Sequence, residues 1–143
     1  MSNRDNFTQK NIDKLSREAG NFCSNPDCRI MVMSAKAQGG NGITNLGVAA
    51  HICAAAPGGP RYDEYMTSDA RKHESNGIWL CQNCAHLIDS EPHNYSVALL
   101  QEWKVDAQKF AREKLGTKPF NIPVTPMLPK QIYRKNTRSK KEY

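Results

Sequence analysis

Two cysteine pairs, Cys23-x4-Cys28 and Cys81-x2-Cys84, carry the clearest chemistry in this chain. Paired thiolates at such spacings suit a tetrahedral zinc ion. Cys81 and Cys84 are three apart, so a tight turn or a first helical turn can aim both sulfurs at one point. Asn25, Pro26 and Asp27 fold the first pair back on itself. Two disulfides or unlinked thiols are the alternative, and the spacing favours zinc over both. Between the pairs lies His51, the strongest catalytic candidate. The fifth cysteine, Cys53, reads as a small packed residue rather than a nucleophile. His73 and His93 lie in polar loop sequence and read as solvated.

These residues need a scaffold. A chain of 143 residues fits one compact domain, and a metal tying distant segments together would support its modest apolar core. A helix is predicted over 8–19, capped by Thr8 and ended by Gly20. Phe7 and Ile12 are spaced as a hydrophobic staple. Ile30–Met33 suits a strand, 38–42 a turn, and 43–52 a second extended segment ending near His51. Residues 54–75 read as a long loop. Ile78–Leu80 reads as a third strand running into Cys81, and 82–89 as a short helix stopped by Pro92. Val97, Leu100, Trp103, Ala107 and Phe110 mark a helix over 97–115, with Trp103 and Phe110 as core anchors.

The net charge is +6, and residues 117–143 hold seven of the basic residues against one acid. That leaves thirteen basic and thirteen acidic residues in 1–116, so the whole excess sits in a proline-containing tail. The tail reads either as a phosphate-binding arm or as a solvated linker. The division is thus a domain over 1–116 and a tail over 117–143. No N-terminal apolar run has signal-peptide length, and none could cross a bilayer, which predicts a cytoplasmic protein.

In order, the chain offers Ala49-Ala50-His51-Ile52, then Asn76-Gly77-Ile78-Trp79-Leu80-Cys81, then Gln82-Asn83-Cys84 leading to Leu87-Ile88-Asp89. Over roughly residues 20–110 this resembles the His-Asn-His (HNH) endonucleases of the ββα-metal superfamily, in the zinc-containing subgroup that often serves as the nuclease half of bacterial antiviral defence effectors. The resemblance implies an α+β fold: a ββα-metal finger with a structural four-cysteine zinc site, flanked by an N-terminal helix and a longer C-terminal one. It implies a metal-dependent endonuclease that hydrolyses DNA phosphodiester bonds with low sequence specificity.

Such hydrolysis needs an activated water and a cation to neutralise charge on the phosphate. His51 fits the general base. By the resemblance, Asn76 orients loop and imidazole, and the helix after Cys84 presents a ligand to Mg²⁺, with Mn²⁺ or Ni²⁺ as alternatives. The zinc is structural, since four thiolates leave no open position.

The chain departs from the family pattern at Ala50 and Ala85, where many relatives place metal ligands. His86, Asp89 and Asn83 are the three candidates for the catalytic ion. Arg61, Arg71 and Lys72 are candidates to grip substrate phosphates, with an ordinary polar loop as the alternative. The partners implied are DNA, with RNA open, and a homodimer or a regulatory partner docking on the tail. The competing reading is a non-catalytic zinc-stabilised DNA-binding or adaptor module.

Overall fold

Thr8 starts the first helix: its hydroxyl accepts from the Asn11 amide at 3.2 Å, a bond the first helical turn otherwise lacks. This is α1 (Gln9–Glu18) in the computed structural model, which describes residues 4–118. The helix stops where Ala19 caps it and Gly20 turns to φ +63°. It buries Leu15, Ser16 and Ala19 against the sheet that carries His51.

Two small antiparallel sheets follow. In the first, β1 (Met33–Ala35) pairs with β2 (Ile43–Asn45), Met33 facing Asn45 and Ala35 facing Ile43. In the second, β3 (Gly47–His51) pairs with β4 (Gly77–Cys81), Gly47 facing Cys81 and His51 facing Gly77. Between β3 and β4 lies α2 (Ser68–Lys72). Helix α3 (Gln82–Ser90) leaves β4 directly, and α4 (Val97–Lys114) follows, capped by the Ser96 hydroxyl. All five residues of β4 are buried because α1, α3 and α4 each pack on it. Trp79, Ile78, Leu80, Ile52, Ile88, Leu100 and Val32 form the centre of the core.

Four expectations need correction. The long loop expected over 54–75 contains α2, started by the Thr67 hydroxyl accepting from the Ala70 amide. The strand expected over Ile30–Met33 begins only at Met33. Residues 30–32 instead pair back on 21–23: the Cys23 amide donates to Ile30 O at 2.9 Å and the Val32 amide to Asn21 O at 2.9 Å. The segment closes the cysteine loop rather than extending a sheet. The single extended run over 43–52 is broken at Leu46, whose amide donates to Val32 and whose carbonyl accepts from Gln82. The chain thereby leaves β1 for β4. Gly47 makes the crossing because a Cβ there would lie 2.1 Å from Trp79 Cζ2. Phe110 is half-buried rather than a core anchor. Its ring meets Phe22 edge-on at 5.5 Å and lies under Arg29 and Lys114. Trp103 is buried as expected, with Tyr95 edge-on at 5.6 Å.

The architecture is mixed α+β, and its cysteines converge. No helix among the described residues is long and apolar enough to cross a membrane. Most of the expected tail, from residue 119 on, lies outside the described residues.

Candidate functional site

The turn after Cys23 is built by Asn25, whose side chain accepts from the Asp27 amide while its carbonyl accepts from the amides of Cys28 and Arg29. The second pair is set by α3: Cys81 is its N-cap, and the Cys84 amide donates to Cys81 Sγ at 3.4 Å. The two turns place all four sulfurs within 4.8 Å of one another, with Cys28 Sγ 3.9 Å from Cys81 Sγ. Zinc–sulfur bonds of about 2.3 Å put the corners of a tetrahedron about 3.8 Å apart. The donor set therefore fits a zinc ion, and all five cysteines are free thiols.

Electrostatics agree. Burial pushes the Cys84 thiol up to about 11 and that of Cys23 higher still, so without a cation both stay protonated. Burial also opposes ionisation of Cys81, but hydrogen bonds from the Cys84 amide and the neighbouring thiols outweigh it, and its net shift is downward. Asn25 Nδ2 points at Cys84 Sγ from 3.4 Å, a donor suited to a metal-bound thiolate.

His51 ends β3 at the rim of a cleft of about 360 Å³. The cleft is walled by Ala49 and Ala50 on β3, the turn through Pro57 and Gly59, Ala85 and Asp89 on α3, and Arg4. His51 Nε2 lies 2.8 Å from the main-chain carbonyl of Asp5. A carbonyl can only accept, so this contact assigns the ring proton to Nε2 and leaves the Nδ1 lone pair as the basic site. The Phe7 ring covers one face of the imidazole, with centroids 3.9 Å apart and planes 9° from parallel. Burial is the main force lowering the His51 pKa. The Asp5 carbonyl pulls it up and the charge of Arg4 pushes it down. The imidazole is thereby held neutral at neutral pH.

Asn76 is buried and ties the two ends of the intervening segment together. Its Oδ1 accepts from the Cys53 amide at 2.9 Å, and its Nδ2 donates to Cys53 O and Arg71 O. Its own carbonyl accepts from the Ile52 amide at 2.8 Å, one residue past His51. Cys53 is buried, and burial raises its pKa, in keeping with a packed thiol.

No family model matches the chain, and no curated protein does either.

Of the three helix candidates for a second ion, Asp89 lines the cleft together with Ala85, one turn before it. His86 and Asn83 are exposed and do not line it. The basic loop residues call for a correction. Arg61 donates to Ile52 O at 2.7 Å, Ile88 O at 2.9 Å and Asp89 Oδ1 at 2.8 Å, with its side chain only 5 % exposed. Arg71 is buried, donating to Asp63 O at 2.8 Å and lying over Tyr62. Both are consumed by bonds within the fold. Lys72 alone is an exposed side chain. His73 and His93 are exposed, as expected.

Sequence reasoning missed Arg4, Asp5 and Phe7. Phe7 does pack on the core near Ile12, as a staple would, but nothing local links residue 7 to residue 51.

Proposed function

We propose that this protein is a metal-dependent endonuclease of the HNH type, hydrolysing DNA phosphodiester bonds with low sequence specificity, with His51 as its general base. The observation that carries the reading is the His51 ring itself. It is neutral, held by its Nε2 proton, stacked on Phe7, and set at the edge of a cleft that Asp89 and Arg4 share. The succession of β3, β4 and α3, with β3 and α3 each walling that cleft, supports the ββα-metal arrangement that the sequence resembles.

In this reading His51 Nδ1 takes the proton from the attacking water, a role that contributes about 10²–10⁴ in rate. Asn76 holds the segment after His51 in register through its bonds to the main chain. The cysteine-held zinc is structural.

The second ion has a more limited fit. Among the described residues the cysteines are the only cluster of three or more His, Cys, Asp or Glu able to share an ion. Asp89 is the carboxylate that α3 offers to the cleft. Magnesium is commonly held by one or two carboxylates together with substrate phosphates and water, and that mode suits this cleft. An ion bound there would neutralise charge on the phosphate.

Plasmid nicking with Mg²⁺, Mn²⁺ or Ni²⁺ tests the proposal. His51→Ala should lose cleavage at unchanged zinc content, and equal nicking by both proteins would sink it. One observation favours a non-catalytic DNA-binding or adaptor module instead: the methyl groups of Ala50 and Ala85 line the cleft where relatives carry ligands. That reading expects salt-sensitive duplex binding, untouched by His51→Ala, and no cutting with any divalent ion.

A further inference from the structure

The segment before α1 supplies both a hydrogen bond and a ring stack to His51. Asp5 is fixed at three points: its amide donates to Ala55 O at 2.9 Å, its carboxylate accepts from the Ser68 hydroxyl, and Arg71 Nη1 lies 3.5 Å from its other oxygen. Ala55 belongs to the turn that walls the cleft, and Ser68 and Arg71 belong to α2. The Asp5 carbonyl is thus carried on a residue tied to two separate elements, and it aims at His51 Nε2. Two residues on, Phe7 lies flat on the imidazole. A Cβ built at Gly77 would come 3.0 Å from Phe7 Cζ, so the glycine opposite His51 in the sheet makes room for the ring.

We propose that residues 4–7 are a clamp that positions His51, with Phe7 and the Asp5 carbonyl as positioning residues for the base. The clamp rests on the nuclease reading for its consequence in rate, but its geometry can be tested without any activity. Two independent contacts act on one ring. The hydrogen bond fixes which nitrogen carries the proton and limits rotation about χ2, while the stack fixes the ring plane. Neither contact alone does both. A strand end without them would leave the imidazole two-fold free about that torsion, and the flipped ring would put Cδ2 where Nδ1 lies and Cε1 where Nε2 lies. The charged groups that bear on the ring are Arg4 and Asp5 from the clamp and Asp89 from α3. Arg4 also lines the cleft, so the same short segment brings a cation to the place where a phosphate would sit.

The test compares Phe7→Leu, which keeps apolar bulk but removes the flat ring, with Phe7→Tyr, which restores it. Nuclear magnetic resonance of ¹⁵N-labelled protein reads the His51 Nε2–H proton directly. In wild type and Phe7→Tyr this proton should be slow to exchange with water. In Phe7→Leu it should exchange at least about tenfold faster, at unchanged zinc content. In single-turnover cleavage, Phe7→Leu should lower the rate by about 10–100-fold, the scale on which small misplacements act. KM should stay constant, and Phe7→Tyr should recover the rate. If Phe7→Leu fails to fold, Asp5→Ala takes its place, since it removes the anchors to Ser68 and Arg71 and should loosen the same proton. A leucine variant with a slowly exchanging Nε2–H and wild-type rate would overturn the clamp. Absence of cleavage by wild type would instead remove the nuclease reading, while the exchange comparison still decides the clamp.

Discussion

Arg61→Ala should be among the most destabilising single changes in this domain, and the structure says how its cost divides. The side chain is 5 % exposed and donates to two main-chain carbonyls, Ile52 O at 2.7 Å and Ile88 O at 2.9 Å. Removing it strands both acceptors in the interior, and each charge-assisted bond lost is worth about 1.5–3 kcal/mol. The ion pair with Asp89 adds little, because that carboxylate is 50 % exposed and screened pairs contribute about 0–1 kcal/mol. The total is about 3–7 kcal/mol, a large part of the roughly 5–15 kcal/mol that holds a typical domain together. Arg61 has φ +57°, and alanine keeps the Cβ that makes this conformation strained, so backbone strain cancels in the comparison. Urea denaturation followed by circular dichroism, with zinc present, measures the change. Asp89→Asn in the same assay should cost under about 1 kcal/mol. The reasoning fails if Arg61→Ala costs under about 1 kcal/mol, or if Asp89→Asn costs as much as Arg61→Ala.

Other outcomes follow from the same geometry. Purified protein should hold one zinc per chain by elemental analysis; Cys23→Ser or a strong chelator should release it and lower the melting temperature, whereas Cys53→Ser should retain it. Gly47→Ala forces a methyl toward Trp79 and should cost about 1–3 kcal/mol by overpacking, visible in thermal melts and in tryptophan fluorescence. The His51 pKa lies below its ordinary 6.5, so cleavage should rise with pH to a half-maximum below 6.5 and then flatten. The same shift means the unfolded chain binds the His51 proton more readily. Stability should therefore rise with pH between the lowered folded value and 6.5, and His51→Gln should flatten that segment of the curve.

Local chemistry made part of this architecture legible. Thr8 and Ser96 cap the helices they precede, the run into Cys81 is a buried strand, and the four cysteines meet. Each of these rests on neighbours within a few residues. What was not legible depends on distant partners. Leu46 breaks an apparently continuous strand because Val32 and Gln82 claim its amide and carbonyl. Arg61 and Arg71 read as loop cations able to grip phosphates, yet Arg61 bonds to the carbonyls of Ile52 and Ile88, and Arg71 to Asp63 O and the Asp5 carboxylate. At the candidate site, His51 could be named from its place between the cysteine pairs, and Asn76 from the family resemblance. The clamp from Asp5 and Phe7 could not, since a main-chain carbonyl has no residue type and a stacking partner has no fixed spacing.

Cys81 holds three posts at once: last residue of β4, cap of α3, and one corner of the thiol cluster. The angle at which α3 departs from the sheet is therefore set by the same sulfur that would bind the ion. Stripping the ion should do more than loosen a remote staple. It should let the wall bearing Ala85 and Asp89 swing relative to the wall bearing His51, so that metal occupancy becomes a direct gauge of how well the two walls are aligned.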